Sequence, residues 1–114
     1  IPSPIKIAEK FGYAVKGILY ALKTEWHFQV QVVLGVALLV FGFVYGSSDY
    51  EVFALLVSYT LLAVAELLNT ALETALNRLH PDQNHLIGAA KDVAAGAVLL
   101  AFLLLVLIIF LILV

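Results

Sequence analysis

Cysteine and methionine are both missing from this chain, and charge is scarce. Without cysteine there is no disulfide framework and no thiolate site. Lys, Arg, Asp and Glu together make up 12% of the 114 residues, while 64% are apolar. Soluble domains carry roughly 25% charged and 45–50% apolar residues. A soluble domain this small could not hide so much apolar surface, so lipid must do the hiding. Other patterns are lacking too. No basic tract with interleaved aromatics exists, which speaks against nucleic-acid binding. No Gly-rich phosphate-cradling loop exists, so any nucleotide site is not a P-loop. The first apolar run follows a structured-looking segment rather than a short basic tip, so no secretory signal peptide is expected. The net charge of −2 says little when two membrane sides carry opposite balances.

What the chain does have is long apolar runs. A helix needs about 20 mainly apolar residues to cross a hydrocarbon core roughly 30 Å thick. Residues 28–46, about 52–76 and 93–114 meet that length. The third run has no ionisable side chain; the second carries Glu66, Asn69 and Glu73 towards its end. Lys6, Lys10, Lys16 and Lys23 precede the first run, Arg78 and Lys91 lie between the second and third, and the first connection, 47–51, has no basic residue. The positive-inside rule places the N-terminus and the second loop in the cytoplasm and the C-terminus outside.

Residues 3–23 read as a helix on the membrane surface. Ser3-Pro4 suits an N-cap and first turn. Ile7/Ala8, Phe11, Ala14/Val15, Ile18/Leu19 and Leu22 recur at helical spacing, with lysines largely on the other side. That is the pattern of an interfacial helix, or of an amphipathic helix packed on other protein. Gly46-Ser47-Ser48-Asp49 breaks the chain, with Asp49 a candidate cap for the next helix. His80-Pro81-Asp82 breaks it again, because proline disfavours helical geometry in the residue before it. The expected architecture is all-α: one unit over 1–114, a surface helix plus three transmembrane helices.

Chemistry concentrates in the second span. Glu66 and Glu73 lie seven residues apart, two turns and ~10 Å along one helix face. Asn69 and Thr70 lie between them, and Asn77 continues the stripe. An ionisable group inside a span costs several kcal/mol and usually marks a functional path. Glu25, at the cytoplasmic edge of the first span, could approach from a neighbouring helix. Carboxylate oxygens suit magnesium, which arrives bound to nucleotide phosphates, and a separate carboxylate can take a proton from a hydroxyl. The stripe therefore suits phosphoryl transfer to an alcohol at the membrane surface. Lys91 can neutralise phosphate, and Asp92 can join the metal or polar network. Two other readings stay open: a proton- or cation-coupled transporter with the glutamates as relay, and a seam of polar contacts between subunits. Taken alone, Lys91-Asp92 is also a common helix-boundary pair. His80 and His85 read as solvated loop residues rather than metal ligands, and Trp26 and His27 as interfacial anchors.

Glu66-Leu67-Leu68-Asn69-Thr70-Ala71-Leu72-Glu73 resembles the signature of the prokaryotic diacylglycerol kinase family, small three-span enzymes. Gly17-Ile18-Leu19-Tyr20-Ala21-Leu22-Lys23-Thr24-Glu25 and Ala90-Lys91-Asp92-Val93-Ala94-Ala95-Gly96-Ala97-Val98 resemble two further blocks, in order and at the right spacing. The resemblance implies an ATP- and magnesium-dependent lipid kinase, assembled as a homotrimer with active sites shared between subunits. Carried over by position, Glu66 would be the general base, and Glu25 and Glu73 would bind metal ions. Asn69, Lys91 and Asp92 would hold phosphates and the polar network, with Tyr13 and Lys16 near the nucleotide. The blocks over 17–25 and 90–98 look more like the undecaprenol kinase branch; the branch acting on diacylglycerol more often has a serine near Ala95. Two positions depart from the pattern. Asn77 replaces the usual aspartate, keeping an acceptor oxygen and losing the charge, which would weaken nucleotide or metal binding. Gln29 stands where a basic residue is common.

Overall fold

The first helix begins where the sequence places it. Ser3 Oγ accepts the Lys6 amide at 3.2 Å, and Pro4 occupies the first turn, where a missing N–H costs nothing. In the computed structural model, which describes residues 3–80 and 84–114, four helices follow one another. They are α1 (Pro4–Thr24), α2 (Trp26–Tyr45), α3 (Asp49–Leu79) and α4 (His85–Leu113). The expected all-α architecture is present, and α2, α3 and α4 are each long and apolar enough to cross a membrane.

The helices outrun the apolar runs that announced them. The second span was expected over 52–76, but α3 covers 31 residues, because its polar ends are helix-compatible. Asp49 and Glu51 occupy its first turn and Arg78 its last, each on the side of the helix dipole that favours its charge. Asp49 is not the cap. Ser48 is: its hydroxyl accepts the Glu51 amide at 3.3 Å, while the Glu51 carboxylate accepts the Ser48 amide at 2.8 Å, a reciprocal capping box. The third span was expected from residue 93, yet α4 starts at His85, capped by Asn84 Oδ1 accepting from Leu86 and Ile87 at 3.0 Å each. Lys91 and Asp92 thus lie well inside α4 rather than at its start. The α3 helix ends with His80 as its C-cap; the Pro81-Asp82 part of the expected break lies outside the described residues.

The turn between α2 and α3 is tight because both its ends are satisfied. Gly46 adopts φ +82°, a left-handed conformation that glycine reaches without a Cβ penalty. Its amide donates to Phe43 O at 3.3 Å, and that of Ser47 donates to Gly42 O at 3.0 Å, closing α2 with a Schellman pair.

Packing is thin, as expected where lipid tails are as apolar as leucine and only close contact drives association. The core is a seam between α3 and α4: Leu55 and Leu62 against Ala101 and Leu105, with Tyr59, Val98 and Ile109 around them. Small residues make the approach possible. Ser58 is fully buried and returns its hydroxyl to Ala54 O at 2.8 Å. On α2 the buried Gly35 leaves room for the Tyr59 ring, whose hydroxyl donates to Gln31 O at 2.7 Å. Most other large apolar side chains of α2–α4 face outward. The helix α1 packs only on α2 to any extent, and Ala21 is its sole buried residue. The molecule measures 49 × 42 × 28 Å. The second long dimension fits α1 standing off the bundle as a separate arm.

Candidate functional site

Glu66 sits on α3 and lines a largely apolar cleft of ≈ 420 Å³ between α2, α3 and α4. Gln31 and Leu34 come from α2, Leu62 from α3, and Ala95 and Phe102 from α4. The polar groups of the cleft are His27, Gln31 and Glu66. Glu66 is half-buried. Gln31 Oε1 is shielded from solvent and has no hydrogen-bond partner, so an acceptor waits beside the carboxylate.

One helical turn along, Asn69 opens onto a different surface. It lines a larger groove of ≈ 710 Å³ between α3 and α4, walled by Leu61, Leu68 and Leu72 against Ala94, Ala97 and Leu104. Its Oδ1 is likewise shielded and unpartnered. The polar stripe therefore straddles the α3–α4 seam, with Glu66 and Asn69 serving separate cavities. Glu73 and Asn77 follow on the same helix and are exposed. Lys91, half-buried on α4, donates from Nζ to Asn77 Oδ1. This bond ties α3 to α4 at the end that carries Glu73, and Asp92 is exposed beside it.

Glu25 is the one residue between α1 and α2 that is in neither helix. It is the N-cap of α2 but makes no side-chain capping bond, so its carboxylate is not spent on the helix end. Tyr13 and Lys16 lie on α1 and are exposed; the Lys16 ammonium stands 6.0 Å from the Tyr13 ring centre, at the outer limit of a cation–π contact. Trp26 and His27 stack with centroids 3.9 Å apart, and Trp26 remains exposed.

Among the described residues, no three His, Asp or Glu side chains converge as a metal centre. Within one chain Glu25 and Glu73 form no part of such a cluster. The donor set nonetheless suits a hard divalent cation, which takes oxygen ligands. The Glu25 carboxylate is unspent, that of Glu73 is exposed, and the Asn69 oxygen is unpaired.

Sequence reasoning passed over two residues of this region. Gln31 carried a signal: an amide inside an apolar span is open to the same inference as Glu66. Gln29 was noted only as a departure, yet its side chain makes a bond of 2.7 Å to Leu22 O.

Three apolar helices and carboxylates at the helix seams define a multi-pass membrane protein with a polar site built into its spans. A profile of the family described as prokaryotic diacylglycerol kinase matches residues 12–113. Among similar proteins, the diacylglycerol kinase of Haemophilus influenzae is 32% identical over 89 residues, 78% of this chain and 75% of the relative. The diacylglycerol kinase of Synechocystis sp. is 38% identical over 80% of this chain, though only 53% of that longer protein is covered. The undecaprenol kinase of Bacillus subtilis is 34% identical over 79% of this chain and 73% of its own length. The chain belongs to the prokaryotic diacylglycerol kinase family and is a lipid kinase. That membership sets aside the transporter reading.

Proposed function

We propose that the protein transfers the γ-phosphoryl group of ATP, with magnesium, to the hydroxyl of a membrane lipid alcohol, undecaprenol first among them. The observation that carries this reading is the half-buried Glu66 lining a largely apolar cleft between three helices. A lipid tail can lie along the cleft wall while its hydroxyl meets a carboxylate. Glu66 accepts the hydroxyl proton as the alcohol oxygen forms a bond to the γ-phosphorus. The bond from that phosphorus to the β–γ bridging oxygen breaks, and ADP leaves. Magnesium, held by Glu25 and Glu73, would neutralise the triphosphate and the charge developing on the leaving oxygen. Lys91, held by Asn77, offers a cation to the phosphates, with Asn69 and Asp92 completing the polar network. Tyr13 and Lys16 on α1 approach the nucleotide from the surface.

Asn77 bears on the nucleotide in a way that the lost charge alone does not convey. It keeps Lys91 in place without neutralising it, whereas a carboxylate there would form an ion pair and compete with phosphate.

Ala95 favours undecaprenol. It lines the cleft with a methyl group and offers no donor. Diacylglycerol brings ester carbonyls that gain from a donor near the reacting hydroxyl, while a polyprenol has only its terminal hydroxyl to place. The lysines ahead of α2, with Arg78 and Lys91, support a cytoplasmic N-terminus. The failure of one chain to gather its carboxylates into a cluster supports a homotrimer in which neighbouring subunits complete each site.

The test is reconstitution in liposomes with radiolabelled ATP, magnesium and either alcohol. Faster labelling of undecaprenol is expected. Faster labelling of diacylglycerol would overturn the choice of acceptor, and labelling of neither would overturn the kinase mechanism.

A further inference from the structure

Only Glu25, with φ −107° and ψ 104°, separates α1 from α2. The direction of a 21-residue arm is therefore set by the dihedrals of a single residue. With α1 otherwise so little buried, packing does little to hold it.

The end of a helix leaves its last carbonyls without intrahelical partners. At this elbow two are taken up, those of Ala21 and Leu22, and the preceding carbonyl of Tyr20 gains an extra donor. The Glu25 amide donates to Ala21 O at 2.9 Å, and the Thr24 hydroxyl donates to Tyr20 O at 2.8 Å. Gln29 reaches back from α2 and donates from Nε2 to Leu22 O at 2.7 Å. The first two bonds lie at α1's own end. The third alone joins a side chain of α2 to the backbone of α1. Beneath it, Glu25 O accepts the amides of Phe28 and Gln29, both at 3.1 Å. Glu25 is thus held between Gln29's backbone on one side and the carbonyl clasped by Gln29's side chain on the other. The elbow opens the first helix long and apolar enough to cross a membrane, and at such a boundary an unclasped Leu22 carbonyl would have fewer waters to replace the lost bond.

We propose that Gln29 is a positioning residue: it clamps the α1–α2 elbow and thereby fixes where the Glu25 carboxylate stands for the reaction. The proposal rests on the reading of Glu25 as a metal-binding group. A neutral donor suits this place. An arginine here could make the same bond, but it would bring a positive charge one turn from Glu25, at a spacing where opposite charges pair.

The absence of native cysteine allows the clamp to be tested directly. A single spin label at Lys10→Cys reports the freedom of α1 in full-length protein reconstituted in liposomes. Gln29→Leu removes the donor at similar volume; Gln29→Arg restores a donor long enough to reach. Gln29→Leu should mobilise the label and raise the magnesium concentration for half-maximal lipid phosphorylation about fivefold, the scale of one lost hydrogen bond. Gln29→Arg should return the label to its restricted state. An unmoved label in Gln29→Leu overturns the clamp. A mobile label with an unchanged magnesium requirement overturns the link to Glu25. In that case Glu25→Ala serves as the control: if it too leaves the requirement unchanged, the metal role of Glu25 has failed along with the link, and if it raises the requirement, only the link has.

Discussion

At the residue scale the protein places an acid where solvent is scarce and gives it an apolar neighbourhood to work in. Glu66 shares its cleft with Leu34, Leu62 and Phe102, a setting that suits the proposed meeting of a lipid alcohol with a carboxylate. Glu66→Gln keeps the shape and removes the proton acceptor. Its kcat should fall by about 10²–10⁴, the usual contribution of a general base, with the assembly size unchanged. A variant that keeps turnover would remove Glu66 from that role. Ala95 provides a second test of the same cleft. Ala95→Ser adds a donor to its wall and should shift the ratio of diacylglycerol to undecaprenol turnover several-fold towards diacylglycerol, the scale of one hydrogen bond. An unmoved ratio in paired liposome assays would show that this wall does not choose the acceptor. Glu66 was legible in the sequence because an acid within an apolar run violates the pattern around it. Gln31 was equally anomalous and went unread, because a neutral amide signals less strongly than a charge. The separation of Glu66 and Asn69 into two cavities could not be read from spacing. Helical periodicity gives a face, but only the placement of α4 across that face divides it.

At the scale of the helices, small residues decide how close the spans come. A Cβ on Gly35 would overlap the Tyr59 ring, and the ring cannot retreat without breaking its bond to Gln31 O. Gly35→Ala should therefore destabilise the α2–α3 pair by about 1–3 kcal/mol, as overpacking does. Reversible unfolding in mixed micelles would measure it, and native stability in the variant would mean that the two helices have room to adjust. The spans themselves were visible from apolar runs, but their true ends were not. Hydropathy marks the part of a helix that needs lipid, while the helix continues through polar residues as long as caps and terminal charges suit it. Hence α3 runs on through Asn77 and Arg78, and α4 begins at His85. The Ser48 cap was masked by Asp49, which has the same cap chemistry one position later.

At the scale of the whole molecule, a single chain leaves its carboxylates apart, and the proposed trimer would bring them together. The chain's outward faces are broadly apolar, and the groove beside Asn69 has apolar walls around one unpaired oxygen. A shared site makes a specific forecast. Glu25→Ala and Glu66→Gln chains, each impaired at limiting magnesium when assembled alone, should recover part of the activity when mixed before assembly, because some sites would then draw both intact groups from different subunits. Phosphorylation assays on mixtures across a range of ratios would show it. Activity staying at the level of the separate variants would place Glu25 and Glu66 of each site on one chain. The arm adds a detail of its own: the sequence foretold its helix from the spacing of its apolar residues, but not the single-residue joint that sets its direction.

The doubly capped turn joining α2 to α3 has a consequence for biogenesis. Because Gly46, Ser47 and Ser48 satisfy the ends of both helices internally, the pair can enter the bilayer as one preformed hairpin. In the proposed orientation, with the N-terminus cytoplasmic, only that short tip and the first turn of α3 would be carried through the hydrocarbon, which keeps the translocation barrier low.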